Sequence, residues 1–269
     1  DFGPLMAGNG PARFQYWPDR RGTGTRQLAR TLASEDATVL EAATLAEKSV
    51  ALGDLQALER LLTDPDAFIE RDAYRCSYAA AIAALQASRA AELDTAWRAP
   101  DGFANLVNGA AAGNDAYYDA REAARDYLDA LTHGLERAAA GKLLPVLGDA
   151  PEDSRPRAAE SWRNGLSTAN IVANLETLEA LLTADGGFAD LAATGGDPLI
   201  GRTLAGMITD ARERLAALPV PLATAAEDPE LHAELLAVAD LLTRARSLAE
   251  ASLARAVGLT AGFNASDGD

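Results

Sequence analysis

The chain has 269 residues, enough to bury a large core either as one big domain or as two of ordinary size. A hydrophobic fraction of 48% that draws heavily on alanine, with only 6% aromatics, favours closely packed helices over strands. The formal net charge of −16 and the lack of any concentrated basic stretch argue against a nucleic-acid partner, and no apolar run approaches the ~20 residues of a transmembrane span. A single cysteine, Cys76, rules out an intramolecular disulfide and thiolate metal clusters.

In chain order, residues up to about Thr25 are rich in Gly, Pro, Asn and Arg and read as an ordered, non-helical lead-in. A short helix is predicted over Arg26–Ala33, and Asp36 is placed as the N-cap of a helix running through Lys48. Gly53-Asp54 interrupts before a further helix, Leu55–Thr63, which Asp64-Pro65-Asp66 closes. A long helix follows from about Arg71 to Trp97, with Cys76 expected as a small core residue, and it stops at Ala99-Pro100-Asp101-Gly102. Another helix covers about Asp115–Ala140.

The segment Leu144–Arg157, with Pro145, Gly148, Pro151 and Pro156, reads as the hinge between two halves, so domains are expected at 1–143 and 144–269. Helices near Ser167–Thr183, Pro198–Leu218 and Pro229–Val257 complete the second half, with Ser167 as the N-cap of the first of them. Asn170 and Asn174, four apart on that helix, can be buried hydrogen-bonding residues or line an interface. The nonapeptides at 55–63 and 175–183 match at six of nine positions, 120 residues apart, which suggests two similar helical halves and makes Glu59 and Glu179 equivalent. Two bundles side by side would leave a cleft at their interface, a usual place for a ligand.

Common enzyme signatures are missing: the sequence has no phosphate-binding P-loop, dinucleotide fingerprint or His-Glu-x-x-His. With only His133 and His232, a multi-histidine metal site cannot form within one chain. His133 and Glu136 share a helix face, a spacing more common in surface pairs than in metal sites, and His232 is expected to face solvent at a helix start. Two polar stretches stand apart. Gln15-Tyr16-Trp17-Pro18-Asp19-Arg20-Arg21 combines rigid aromatic surface with charge, and can either fix a loop or line a ligand pocket. Gly262-Phe263-Asn264-Ala265-Ser266-Asp267-Gly268-Asp269 offers oxygen ligands for a hard cation or a polar ligand, or is simply a capped helix end with an acidic tail.

Taken in order, Phe2-Gly3-Pro4-Leu5, the loop from Phe14 to Gly22, Glu47-Lys48-Ser49-Val50-Ala51, the helix from Leu55 to Leu62, Glu160-Ser161-Trp162-Arg163-Asn164-Gly165-Leu166-Ser167 and the closing octapeptide resemble the imelysin-like proteins of bacteria. That family was once classed with insulin-cleaving metallopeptidases. The resemblance implies an all-α fold of two related four-helix-bundle domains, with the functional site between them. It also implies a periplasmic or lipid-anchored setting at the outer membrane and a part in iron uptake. A signal segment and a further helix that precede Phe-Gly-Pro in the family are not in this chain, which opens on Asp1 like a processed or trimmed product.

The family's G-x-H-x-x-E motif falls on Asp54 to Glu59. The glutamate is kept, but Asp54 replaces glycine and Gln56 replaces histidine. Glutamine is a poor transition-metal ligand and cannot be a general base, so the reading is a non-catalytic binding protein. The resemblance gathers Tyr16, Trp17, Asp19, Arg20, Lys48, Ser49, Gln56, Glu59, Arg163, Ser167, Asn264, Asp267 and Asp269 at one ligand site, with Glu59 and Asp267 as ligands if iron or another divalent cation binds. The expected partner is that small ligand or metal ion, and an outer-membrane iron-uptake protein is a further one. Two rival readings are a metallopeptidase with Glu59 as base and a scaffold that binds such an outer-membrane iron receptor.

Overall fold

The computed structural model describes residues 10–63 and 73–259. Among them the chain is helical throughout with no strand, as the composition predicts, and no helix is long and apolar enough to cross a membrane. The chain divides into two compact units, Asp1–Gly109 and Ala110–Asp269.

The first unit contains α1 (Gly10–Phe14), α2 (Thr23–Ser34), α3 (Ala42–Ala46), α4 (Leu55–Thr63), α5 (Ala73–Arg98) and α6 (Phe103–Asn108). The lead-in therefore carries one helical turn that the composition did not announce. The single helix predicted from Asp36 to Lys48 is broken. Asp36 caps a 3-10 turn, Ala37–Val39, by accepting the Thr38 N–H at 2.9 Å, and α3 starts afresh after extended Glu41. Helix α5 is the spine against which α3 and α4 pack. Its buried positions Tyr78, Ala81, Ile82, Leu85 and Arg89 lie on one face, with Leu28, Val39, Leu45 and Leu61 around them. Cys76 is exposed, contrary to its expected core position: two residues from Tyr78 at about 100° each, it lies on the far side of the helix.

The second unit is built on four long helices: α7 (Ala120–Glu136), α9 (Ser167–Thr183), α11 (Pro198–Ala216) and α13 (Pro229–Leu248). Aspartates cap three of them, Asp119, Asp197 and Asp228 each accepting two backbone N–H groups of the first turn. Neighbours run antiparallel, because Gly134 meets Leu178 while Lys142 meets Asn174, and His232 meets Leu147 while Arg246 meets Glu136. Likewise Glu179 meets Thr209 and Glu176 meets Arg212. With α11 against α13 the ring closes as an up-down-up-down four-helix bundle. Gly134 permits the close approach of α7 and α9, since a Cβ there would sit 2.5 Å from a Leu178 methyl carbon. Leu131, Leu135, Leu175, Leu182, Leu204, Leu215, Leu235 and Leu242 fill the core, each contributing roughly 1.5–3 kcal/mol by burial.

The predicted boundary at 143/144 is not where the units divide. Helix α7 continues through a π-helical stretch, Arg137–Leu143, into α8 (Leu144–Leu147). The Leu144 N–H reaches back five residues to the Ala139 carbonyl, and the wider turn lets the helix run into Pro145. Val146, Leu147 and Ala159 are all buried in this unit's core, so the proline-rich segment is part of the bundle. Two short helices, α10 (Phe188–Thr194) and α12 (Leu222–Ala225), bridge the long ones, and α13 ends in a second π-helical stretch, Ala249–Leu253, and α14 (Ala254–Ala256). His232, expected in solvent, is 3% exposed and sets its Nε2 3.1 Å from the Leu147 carbonyl. It shares the inward face of α13 with Leu235, Ala239 and Leu242.

Candidate functional site

The motif region at the start of α4 is the centre of the first unit's polar structure. Asp54 is the residue before the helix and is 1% exposed. One carboxylate oxygen accepts the Ala57 N–H at 2.8 Å, capping α4, and the other accepts the Tyr16 N–H at 2.7 Å. The aspartate that replaces the motif glycine therefore ties the lead-in loop to the helix. Burial pushes its carboxyl above the ordinary value of 3.8, outweighing the N–H groups of Ala57, Tyr16 and Gln56 and the nearby Arg60, all of which pull it down.

The loop is held again at Asp19, which accepts the Thr23 N–H at 2.7 Å and the Thr25 N–H at 3.2 Å, at the start of α2. Gly22, at φ 62°, makes the turn between them. The Trp17-Pro18 bond within this loop is cis. The preceding carbonyl of Arg13 and that of Gly53 both accept from the buried side chains of Gln86 and Arg89 on α5, with Gln86 Nε2 2.9 Å from Arg13 O. Tyr78 donates to Leu52 O at 2.7 Å. The backbone on either side of the motif is thus fixed by side chains of a single long helix.

Between the loop, α2 and α4 lies a cavity of about 10 Å³, lined by Tyr16, Asp19, Asp54, Gln56 and Arg60 among others. That is room for about one water molecule. Tyr16, Asp19 and Gln56 therefore lie around one small cavity within the first unit. Glu59 is buried one turn further along α4, outside the cavity lining. Trp17 is half-buried, while Arg20, Lys48 and Ser49 are exposed, and none of these four lines the cavity.

Arg163 and Ser167 belong to the second unit. Ser167 is the first residue of α9 and not its N-cap, a position taken by Leu166; its buried hydroxyl donates instead to the Glu160 carbonyl. Glu160 and Lys142 form an ion pair at 2.6 Å with both side chains 7% exposed, and the same ammonium donates to Asn174 Oδ1 at 2.6 Å. Asn170 donates to Ser161 Oγ at 3.4 Å, so both asparagines serve hydrogen bonds inside this unit. No sequence signal marks the Lys142–Glu160 pair. The pair joins the π-helical stretch to the loop before α9, two segments 18 residues apart with no motif between them. Asn264, Asp267 and Asp269 lie outside the described residues, as does the metal ligand set that needs Asp267.

Fit to a hydrolytic metal is poor at the motif. Gln56 offers an amide where the family has imidazole, both Asp54 oxygens are engaged by backbone N–H groups, and among the described residues no three His, Cys, Asp or Glu side chains group closely enough to hold a metal ion. The fold and this region define an all-helical protein with a motif-bearing helix clamped to its lead-in loop. The chain belongs to the imelysin family, whose model matches residues 1–248. Among solved structures it is similar to an imelysin-like protein from Psychrobacter arcticum 273-4, with 24% identity, a TM-score of 0.75, and coverage of 98% of this chain and 76% of that one. No curated protein matches it.

Proposed function

We propose that this imelysin-family chain is a non-catalytic binding protein that works outside the cytoplasm in bacterial iron acquisition, taking up a metal ion or a small polar ligand. The observation that carries the reading is the state of the motif turn. Its glycine position is a buried aspartate with both oxygens committed to backbone donors, its histidine position is Gln56, and the space between them admits about one water. A hydrolytic zinc needs an open coordination position beside a general base, and this turn supplies neither an imidazole nor the room. Family membership supports the extracytoplasmic setting and the link to iron.

The test pairs two measurements on the whole chain. Incubation with insulin and zinc should leave the insulin intact, whereas zinc-dependent cleavage that disappears in Glu59→Gln would establish the peptidase reading instead. Equilibrium dialysis against ferrous ion and other divalent cations reads the binding arm. Retention of a stoichiometric cation supports it, and retention of none restricts the ligand to polar molecules.

A further inference from the structure

The second unit holds a cleft of about 780 Å³, within the range of small-molecule sites, and it is separate from the motif region. Arg155, Arg157, Trp162, Arg163, Pro221 and Glu227 are among its lining residues. Three guanidinium groups against one carboxylate make a local excess of positive charge on a chain whose formal net charge is −16. Trp162 organises two of them, the Arg163 guanidinium lying 4.5 Å and that of Arg157 5.7 Å from the ring centroid. A guanidinium resting against an aromatic ring keeps its N–H edge available for a planar anion. Among the described residues, neither Arg155 nor Arg157 has a carboxylate partner within ion-pair distance.

The loop that carries Trp162 and Arg163 is fixed from beneath. Glu160 is anchored by Lys142, Ser167 closes back on the Glu160 carbonyl, and Ser161 and Gly165 both have positive φ, 51° and 72°. A non-glycine residue in that region costs energy, so Ser161 is held there by its surroundings. A loop held in this way presents its arginines already oriented, which lowers the ordering cost of binding.

We infer that this cleft is a binding site for a small, multiply charged anion presenting carboxylate or phosphate oxygens, gripped by Arg155, Arg157 and Arg163 beside Trp162. The inference stands apart from the reading of the motif turn and holds whether or not the chain cleaves peptides. Isothermal titration calorimetry on the whole chain tests it with two probes. They are tricarballylate, a tricarboxylate without a chelating hydroxyl, and inorganic pyrophosphate. At least one should bind saturably with a Kd of about 1 mM or tighter, and the double variant Arg155→Gln/Arg157→Gln should weaken it by about tenfold or more at an unchanged melting temperature. The probe that binds identifies the oxyanion. Arg30→Gln/Arg202→Gln, which removes two exposed arginines elsewhere, should leave binding intact. Absence of saturable heat for both probes up to about 10 mM, or equal weakening in the two double variants, overturns the assignment.

Discussion

Replacing Lys142 by methionine should lower the stability of the second unit by about 3–5 kcal/mol, the range for removing one partner of a buried ion pair. The loss arises mainly at Glu160, whose side chain is 7% exposed and would be left charged without its ammonium. Asn174 loses its donor as well, but that residue is exposed and water can replace the bond. For a unit of this size the melting temperature should fall by roughly 6–20 °C, read by circular dichroism. The double variant Lys142→Met/Glu160→Leu should recover most of the loss, because an apolar pair in the same space carries no stranded charge. A single variant that melts within a degree of the parent would show that Glu160 finds another partner or takes up a proton.

Asp54→Ala should cost about 2–5 kcal/mol, since it strands the Ala57 and Tyr16 N–H groups and removes the cap of α4. The effect has a local signature: the loop before α2 loses its attachment, so trypsin should cut after exposed Arg20 or Arg21 much faster than in the parent. Unchanged digestion would mean that Asp19 and the Gln86–Arg89 pair hold the loop without Asp54. Asp54→Asn separates charge from shape. Because burial raises the Asp54 carboxyl above 3.8, the folded state keeps a proton that the unfolded state has released. The contribution of this group to stability is therefore fully present below pH 3.8 and is lost as pH rises through the raised value. Urea midpoints should show the parent's advantage over Asp54→Asn shrinking with rising pH, and an advantage that grows with pH would contradict the assigned cause.

The helices were legible because alanine and leucine favour them and because Gly, Pro and capping Asp mark their ends; α4, α5 and α9 lie close to where pattern alone places them. The division into units was not. Prolines at 145, 151 and 156 mark turns, and turns mark a unit boundary only if the chain between them stays out of a core. Here Val146 and Leu147 face inward, while the division at Gly109–Ala110 carries no proline. His232 follows a helix-starting proline, a position that suggests solvent, but its spacing from Leu235 and Ala239 puts it on the apolar face.

At the candidate site, the resemblance groups Tyr16, Asp19 and Gln56 with ten other residues, and these three line one small cavity within the first unit because Asp54 ties the lead-in loop to α4. It did not reveal what Asp54 does, since a capping aspartate and a ligand aspartate look alike in a sequence. Lys142 was invisible for a different reason. A lysine near the end of an alanine-rich helix reads as solvated, and nothing in its neighbours announces a turn wider than 3.6 residues.

That wider turn has a consequence for how α7 can vary. Upstream, inward positions arrive as Leu128, the couple Leu131 with Thr132, and Leu135; from Ala138 onward every inward position belongs to an adjacent couple, Ala138 with Ala139, Lys142 with Leu143, and Val146 with Leu147. The stretch Arg137–Leu143 behaves as a helix with one residue too many, and the surplus is what broadens the inward strip enough to admit a lysine. Dropping a single residue there would remove the surplus, so the backbone would rewind into an ordinary helix and the inward strip would narrow, while Leu144 onward would keep roughly its present phase. The meeting of Lys142 with Glu160 is thus fixed by a count of residues as much as by their identity, so side-chain exchanges along the stretch leave the wide turn in place and the loss of one residue does not.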